Sequence, residues 1–290
     1  GLGRAYCELL AGLGCKVVVN DLGVTMAGDP TEEHPADELV AAIKAAGGEA
    51  VANTDTVATE AGGKAIVETA LDTYGRIDIL IHNAGNSRRI PLEEMKLDDF
   101  RAITDVHLVG GFNVLQPSYA AMKKAGYGRI VMTSSIGGIY GNFGVHPYSA
   151  SKAGLIGMAY NAALEGGAHG IKANCILPSA VTRMSEGVAT SSFPPLGPEF
   201  IAPAVGYLAH EDCNMSGELL IALGGRIAKA YISETRGAVQ KEWTVDDVAA
   251  RMPEISDRTD AFSFPIMPTE EGGPHGFMKH LGSSFEMVRD

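Results

Sequence analysis

The sequence predicts an α/β protein built on a doubly wound parallel sheet, and three observations carry that prediction. Short β-branched runs alternate with amphipathic segments along most of the chain. Two glycines, in Gly1-Leu2-Gly3, lead straight into a helical segment. The first strand then ends on an acid, Asp21, eighteen residues after Gly3. Alternating β and α elements place helices on both faces of a parallel sheet, whose ligands bind beyond the carboxyl ends of the strands.

Taken in order, Cys15 to Asn20 (CKVVVN) reads as a buried strand, Ala36 to Ala46 as a helix and Glu49 to Asn53 as the next strand. Ala61 to Tyr74 is helical, Asp78 to Asn83 (DILIHN) a strand, and a long helix runs from Leu97 to Lys124. Arg129 to Ser134 is a strand, Pro147 to Gly166 a helix and Ile171 to Leu177 a strand. A helix over Pro198 to His210 and a strand over Glu218 to Leu223 complete the series. No strand precedes the glycines, although a dinucleotide fold feeds its phosphate turn from a central first strand. That strand is therefore expected to be missing ahead of Gly1. After Gly224-Gly225 the sheet pattern stops, which divides the chain into a nucleotide-binding domain over 1–225 and a C-terminal extension over 226–290. Within the extension Thr244-Val-Asp-Asp247 reads as a capped helix start for VDDVAARM. Beyond Asp260 the Pro- and Gly-rich chain reads as a surface arm.

The bulk composition narrows the function. A chain of 290 residues accommodates one large domain or two small ones. The formal net charge of -12 argues against general nucleic-acid or anionic-membrane binding. No apolar run approaches the roughly 18 residues of a membrane span, and no segment resembles a signal peptide or a C-terminal S-K-L address. Cys7, Cys15, Cys175 and Cys213 are scattered without a C-x-x-C pair. They read as reduced thiols of a cytoplasmic protein rather than a disulfide framework. The histidines show no metal-ligand spacing such as H-E-x-x-H, so no catalytic metal is expected.

The glycines at the start gain meaning from position. A helix opening at once offers its N–H groups and positive dipole end to a pyrophosphate. Asp21 then stands near the spacing of a ribose-binding acid. A carboxylate there accepts hydrogen bonds from ribose hydroxyls and repels a 2'-phosphate, which favours NAD as cofactor. The competing reading makes Asp21 a turn residue in D-L-G.

The chemistry concentrates between Thr133 and Gly154. Tyr148 and Lys152 are one helical turn apart and share a face. An ammonium beside a phenol favours phenolate, so Tyr148 is expected to have its pKa lowered from about 10 toward neutrality, where a general acid/base works best. Ser135, thirteen residues before Tyr148 at the end of a strand, can hold the reacting oxygen.

These motifs together resemble the short-chain dehydrogenase/reductase family. The matching residues are Gly1-Leu2-Gly3, Asn83-Ala84-Gly85, Ser135, Tyr148-x-x-x-Lys152 and Gly224-Gly225. The resemblance implies a Rossmann fold with Ser135, Tyr148 and Lys152 as catalytic residues. It also implies adenine contact by Asp55 with Thr56 beside it, Asn83, Ala84 and Gly85 along the cofactor, and Tyr148 and Lys152 near the nicotinamide ribose. The phrases VVVNDLG, YGRIVMTSS, GIYGNFG and WTVDDVAARMPEISD are similar to the dehydrogenase part of the peroxisomal multifunctional β-oxidation enzymes and their bacterial stand-alone relatives. That similarity implies oxidation of (3R)-hydroxyacyl-CoA or sterol side-chain thioesters, and a homodimer or homotetramer. Two positions depart from the wider family. His107 stands where an asparagine is usual, and reads either as part of a proton relay behind Lys152 or as a packed helix histidine. Pro178-Ser179 replaces Pro-Gly, which bears on the backbone contacts expected from Ala180, Val181 and Thr182.

The substrate side is expected to be an apolar mouth drawn from Ile136, Ile139, Tyr140, Phe143, Met184 and Phe193. Arg88, Arg89 and Arg183 would form a basic rim for the phosphates of coenzyme A, or are simply solvated. Two other readings stand beside the acyl-CoA one: a dehydrogenase of free hydroxysteroids or other alcohols, and a non-catalytic NAD-binding regulator.

Overall fold

The computed structural model describes residues 1–25, 31–182 and 196–289. They divide into two compact units, Gly1–Lys229 and Ala230–Asp290.

The first unit opens with α1 (Leu2–Gly12), which buries Tyr6, Leu10 and Ala11, and continues into β1 (Lys16–Asn20). Helix α2 (Pro35–Ala45) begins on a proline, with Asp37 and Glu38 in its first turn and Lys44 in its last, charges that complement the helix dipole. Strand β2 (Glu49–Asn53) follows. Helix α3 (Glu60–Tyr74) is capped by the Thr59 side chain and ends at the left-handed Gly75. After β3 (Ile79–His82) come α4 (Leu97–Thr104), a π-turn over Asp105–Val109, and α5 (Gly110–Ala125). The remaining elements are β4 (Gly128–Thr133), the short α6 (Gly137–Tyr140), α7 (His146–Gly166), β5 (Ile171–Ser179), α8 (Ala202–Ala209), β6 (Leu219–Leu223) and β7 (Arg226–Ala230).

β1 pairs in parallel with β2, while β3, β4, β5 and β6 pair in parallel in that order, with β7 at the edge beside β6. Strand β4 is buried along its whole length, as expected for a parallel strand covered on both faces. Val131 and Ile176 point to the α1–α8 side, together with Tyr6, Val205 and Leu208. On the other side the Cys175 thiol reaches the Leu155 carbonyl of α7. Each fully buried aliphatic side chain in these layers, such as Ile130 or Leu155, contributes about 1.5–3 kcal/mol.

The strands form two sheets, as β1 and β3 are not hydrogen-bonded to one another; a cavity lined by Val17, Val18, Val19, Ile79, Leu80 and Ile81 runs between them. Three expectations change. The larger sheet does not stop at Gly225. Gly224 and Gly225 both take positive φ, the requirement of a tight two-residue hairpin turn, and β7 follows at once. The helix read as unbroken from Leu97 to Lys124 is widened by the π-turn in its middle. Finally, the surface arm expected beyond Asp260 contains α10 (Gly276–Arg289).

Within the second unit, α9 (Val245–Ile255) starts at a complete capping box in which Thr244 and Asp247 exchange hydrogen bonds. Glu234 bridges the backbone of Phe262 and its carboxylate meets His280 Nε2 at 3.1 Å. Thr235 donates to the Ile255 carbonyl at 2.6 Å.

Candidate active site

The cavity of about 1840 Å³ runs along the gap between β1 and β3 and reaches the carboxyl ends of β1, β3, β4 and β5. Its lining gathers Gly1, Leu2, Gly3, Asp21, Asp55, Thr56, Asn83, Ala84 and Gly85 with Ser135, Tyr148, Lys152, His107, Ala180 and Thr182. Residues far apart in the chain are thereby assembled around one space. Val181 alone of the expected set is outside the lining, and its N–H donates to the Leu196 carbonyl at 2.7 Å.

Lys152 is set from two sides. Its ammonium donates to the Thr133 carbonyl at 2.6 Å, and its own carbonyl accepts from Ser134 Oγ at 2.7 Å. The end of β4 thus holds both the backbone and the side chain of α7 at this position. The ammonium lies 5.5 Å from the centre of the Tyr148 ring. Burial pulls the pKa of Lys152 down to about 7, so the charge expected to acidify Tyr148 is itself weakened.

Tyr148 shows the consequence. Burial pushes its phenol above the ordinary value, and the hydrogen bond from Ser135 opposes that only in part. The expected shift toward neutrality is absent from this geometry, because desolvation of the phenolate outweighs the neighbouring dipoles. Ser135 Oγ also accepts the Gly137 N–H at 3.0 Å, which fixes the hydroxyl at the end of β4.

His107 sits in the π-turn with no exposed surface. Its ring meets Tyr148 edge-on, with centroids 5.2 Å apart at 81°. Nε2 lies 2.7 Å from the Asn86 carbonyl and 3.1 Å from the Asn86 N–H, while Nδ1 is buried without a hydrogen-bond partner. Burial first, then the Lys152 charge, hold the imidazole pKa well below its ordinary value. The ring thus holds the loop backbone at Asn86, and no hydrogen bond between it and Lys152 is seen. Gly85 lies against this ring: a Cβ there would come within 2.4 Å of His107 Cε1.

The nucleotide end suits a dinucleotide. Helix α1 follows Gly1 and carries no acid in its first turn, which suits an anion near its N-terminal end. Gly3 lies so close to Asn83 that a Cβ would meet its amide nitrogen at 3.0 Å, which lets helix and loop close on a shared ligand. Asp21 Oδ1 accepts the Gly23 N–H at 2.9 Å, leaving Oδ2 for hydroxyl donors. Asp55 is fixed by Asn53, whose amide donates to its carboxylate at 2.8 Å, and by Asn20, which donates to its carbonyl at 2.9 Å. The roles of Asn20 and Asn53 were not legible in the sequence, since both appear there only as strand ends.

The substrate side is mixed. Ile136 and Tyr140 line the cavity; Ile139 and Phe143 do not, although both are exposed. Arg88 is paired with Asp99 at 2.8 Å, and Arg89 donates to the Phe143 carbonyl at 3.1 Å. Met184, Phe193 and Arg183 lie outside the described residues. Among the described residues no group of His, Cys, Asp or Glu side chains could hold a metal, and no helix is long and apolar enough to cross a membrane. The four cysteines are unpaired thiols.

A parallel α/β sheet with a Ser-Tyr-Lys group and a glycine-opened helix at one crevice defines an oxidoreductase that uses a nicotinamide cofactor. The chain belongs to the short chain dehydrogenase family, whose profile matches residues 1–191. It is 44% identical over 248 residues to the peroxisomal multifunctional enzyme type 2 of Drosophila melanogaster, covering 85% of this chain but 41% of that protein. A Mycobacterium tuberculosis protein described as a short-chain type dehydrogenase/reductase is 41% identical over 267 residues, covering 90% of this chain and 92% of that one. The crystal structure of a short chain dehydrogenase from Mycobacterium avium superposes with a TM-score of 0.77 at 34% identity, over 88% of this chain and 90% of that one.

Proposed function

We propose that this oxidoreductase interconverts the secondary alcohol and ketone of a hydroxyacyl-CoA, of the (3R)-hydroxyacyl or sterol side-chain type, with NAD as cofactor. The observation that carries the reading is the meeting of Tyr148, Ser135 and Lys152 with the nucleotide-side residues in one cavity. The similarity to peroxisomal multifunctional enzymes supports the thioester substrate.

NAD, when bound, supplies the hydride acceptor. Asp21 would hold the adenosine ribose, and Asp55 with Thr56 would border the adenine. Asn83, Ala84 and Gly85 would flank the cofactor, and Ala180, Val181 and Thr182 the carboxamide side. Ser135 orients the alcohol oxygen and Tyr148 takes its proton, returning it in the ketone-reducing direction. Lys152 holds the ribose side of the site. His107 serves in this scheme as a brace against Tyr148. With Arg88 paired to Asp99, the phosphates of coenzyme A would have to draw on Arg89 and Arg183. A homodimer or homotetramer is consistent with the exposed Leu97, Val109 and Phe112 on the α4–α5 rod. Unpaired thiols suit a reducing compartment, whether cytoplasmic or peroxisomal as the names of the relatives indicate.

The test is NADH formation at 340 nm with (3R)-hydroxyacyl-CoAs set against matched free steroid alcohols. Turnover that requires the CoA moiety supports the proposal. Turnover of free alcohols alone keeps the proton chemistry and removes the thioester. NAD binding with no turnover of either class would favour a regulator.

A further inference from the structure

His82 closes β3, is almost fully buried and takes no part in the proton chemistry described above. Its Nε2 lies 2.9 Å from the carbonyl oxygen of His107, inside the π-turn. A carbonyl only accepts, so Nε2 carries the hydrogen. Burial and the nearby Lys152 charge lower the His82 pKa to about 4, which keeps the ring neutral and the donor constant through the working pH range. Gly111 makes room for this contact: a Cβ there would stand 3.2 Å from His82 Cδ2 and 2.7 Å from Leu155 Cδ2.

The contact is answered in the opposite direction. His107 returns its own side chain to the Asn86 backbone at 2.7 Å, and Asn86 Nδ2 donates to the Ala102 carbonyl at 3.1 Å. A strand side chain therefore grips the helix backbone, and helix groups grip the loop that leaves the same strand. The joint lies where the helix departs from α geometry, a feature common at functional sites. It also carries the ring that stands edge-on to Tyr148.

We propose that His82 is a positioning residue for the reaction, pinning the π-turn at the His107 carbonyl and thereby setting both the Tyr148 ring and the loop from Asn83 to Asn86. This rests on the reading of Tyr148 as the general acid/base. Loss of the donor removes the strand's hold on the His107 carbonyl, and the turn is then free to shift toward regular α geometry, which would move His107 relative to Tyr148.

The experiment compares His82→Leu, which removes the donor, with His82→Gln, whose amide keeps one. The expected result for His82→Leu is a fall in kcat of at least about 10-fold, with KM for the substrate changed less than about threefold. The Tyr148-dependent limb of the kcat–pH profile should also move by about half a unit or more, and His82→Gln should recover both to within about threefold of the native values. Imidazole NMR supplies a readout free of turnover: His82 should be the neutral Nε2–H tautomer from pH 5.5 to 8, and the His107 signals should shift in His82→Leu but not in His82→Gln. Should His82→Leu not fold, His82→Asn, whose shorter amide falls short of the carbonyl, carries the same expectation. Reduced thermal stability with unchanged kcat, pH limb and His107 signals would overturn the proposal and leave His82 a core residue. Native protein that turns over no thioester, with the NMR shifts as expected, would count against the substrate reading and not against the brace.

Discussion

The Lys152 ammonium donates to the Thr133 carbonyl at 2.6 Å in a site where the residue keeps only 3% of its surface exposed. The lysine proposed to serve the chemistry is thus also a buried amine whose charged form is costly to the fold.

That cost has a pH signature. With a folded pKa of about 7 against an ordinary 10.5, the unfolded chain holds a proton that the folded chain lacks between those limits. Stability contributed by this group therefore rises with pH through the window, and the full penalty of the buried charge applies below it. Relative to Lys152→Met, the native chain should gain up to about 1.4 kcal/mol per pH unit between pH 8 and 9.5. Urea unfolding of both proteins across this range checks it; a constant difference would mean Lys152 is charged throughout.

Tyr148, as the proposed general acid/base, is predicted to set the pH dependence of turnover. Because burial raises its pKa, alcohol oxidation, which needs the phenolate, should keep climbing in kcat/KM above pH 8, while ketone reduction should not. Tyr148→Phe should lower turnover by about 100-fold to 10,000-fold and leave the NAD dissociation constant within about threefold. Steady-state rates and calorimetric titration separate the two effects.

Gly85 is predicted to be intolerant of any side chain. An added methyl overlaps the His107 ring, so Gly85→Ala should displace the loop along the cofactor and weaken NAD binding by about 10-fold or more, roughly 1.4 kcal/mol. Titration calorimetry would show it, and unchanged affinity would mean that His107 yields instead.

Asp21 should decide between cofactors. Replacing it with alanine removes the charge that repels a 2'-phosphate, and the NADP/NAD ratio of kcat/KM should rise at least about 10-fold, or roughly 1.4 kcal/mol. No change in the ratio would make Asp21 a turn residue that serves only Gly23.

Arg129 is a stability prediction remote from the chemistry. Its guanidinium donates to the carbonyls of Gly128, Gly170, His210 and Glu211 and stacks 4.4 Å over the Tyr127 ring. Arg129→Met removes these donors, of which only the one to Gly128 lies fully buried, and should cost about 1–2 kcal/mol. Urea denaturation measures this directly, with kcat expected to hold in the folded fraction.

Much of the site was legible in the sequence because its signals are local. The spacing of Tyr148 and Lys152 places them on one helix face whatever surrounds them, and a serine at a strand's end stands near the ligand in any parallel α/β sheet. His82 gave no such signal, since a histidine ending a strand is unremarkable until the π-turn is seen beside it. Strand β7 (RIAKA) was not legible because two cations in five residues carry no sheet pattern, although its Lys229 pairs with Glu218 at 2.7 Å. Helix α10 was hidden by the Pro- and Gly-rich stretch before it.

By itself, then, the sequence determined the order of the main strands and helices from α1 to β6, the acid that follows β1 and the residues proposed for the proton chemistry. Each follows from hydrophobic period or short spacing, which a chain carries wherever it goes. Tertiary structure alone decided that Arg88 is paired with Asp99 and that His82 grips His107. It also decided the direction of the Tyr148 shift. Those properties depend on desolvation and on partners many residues away, and neither exists until the chain has folded.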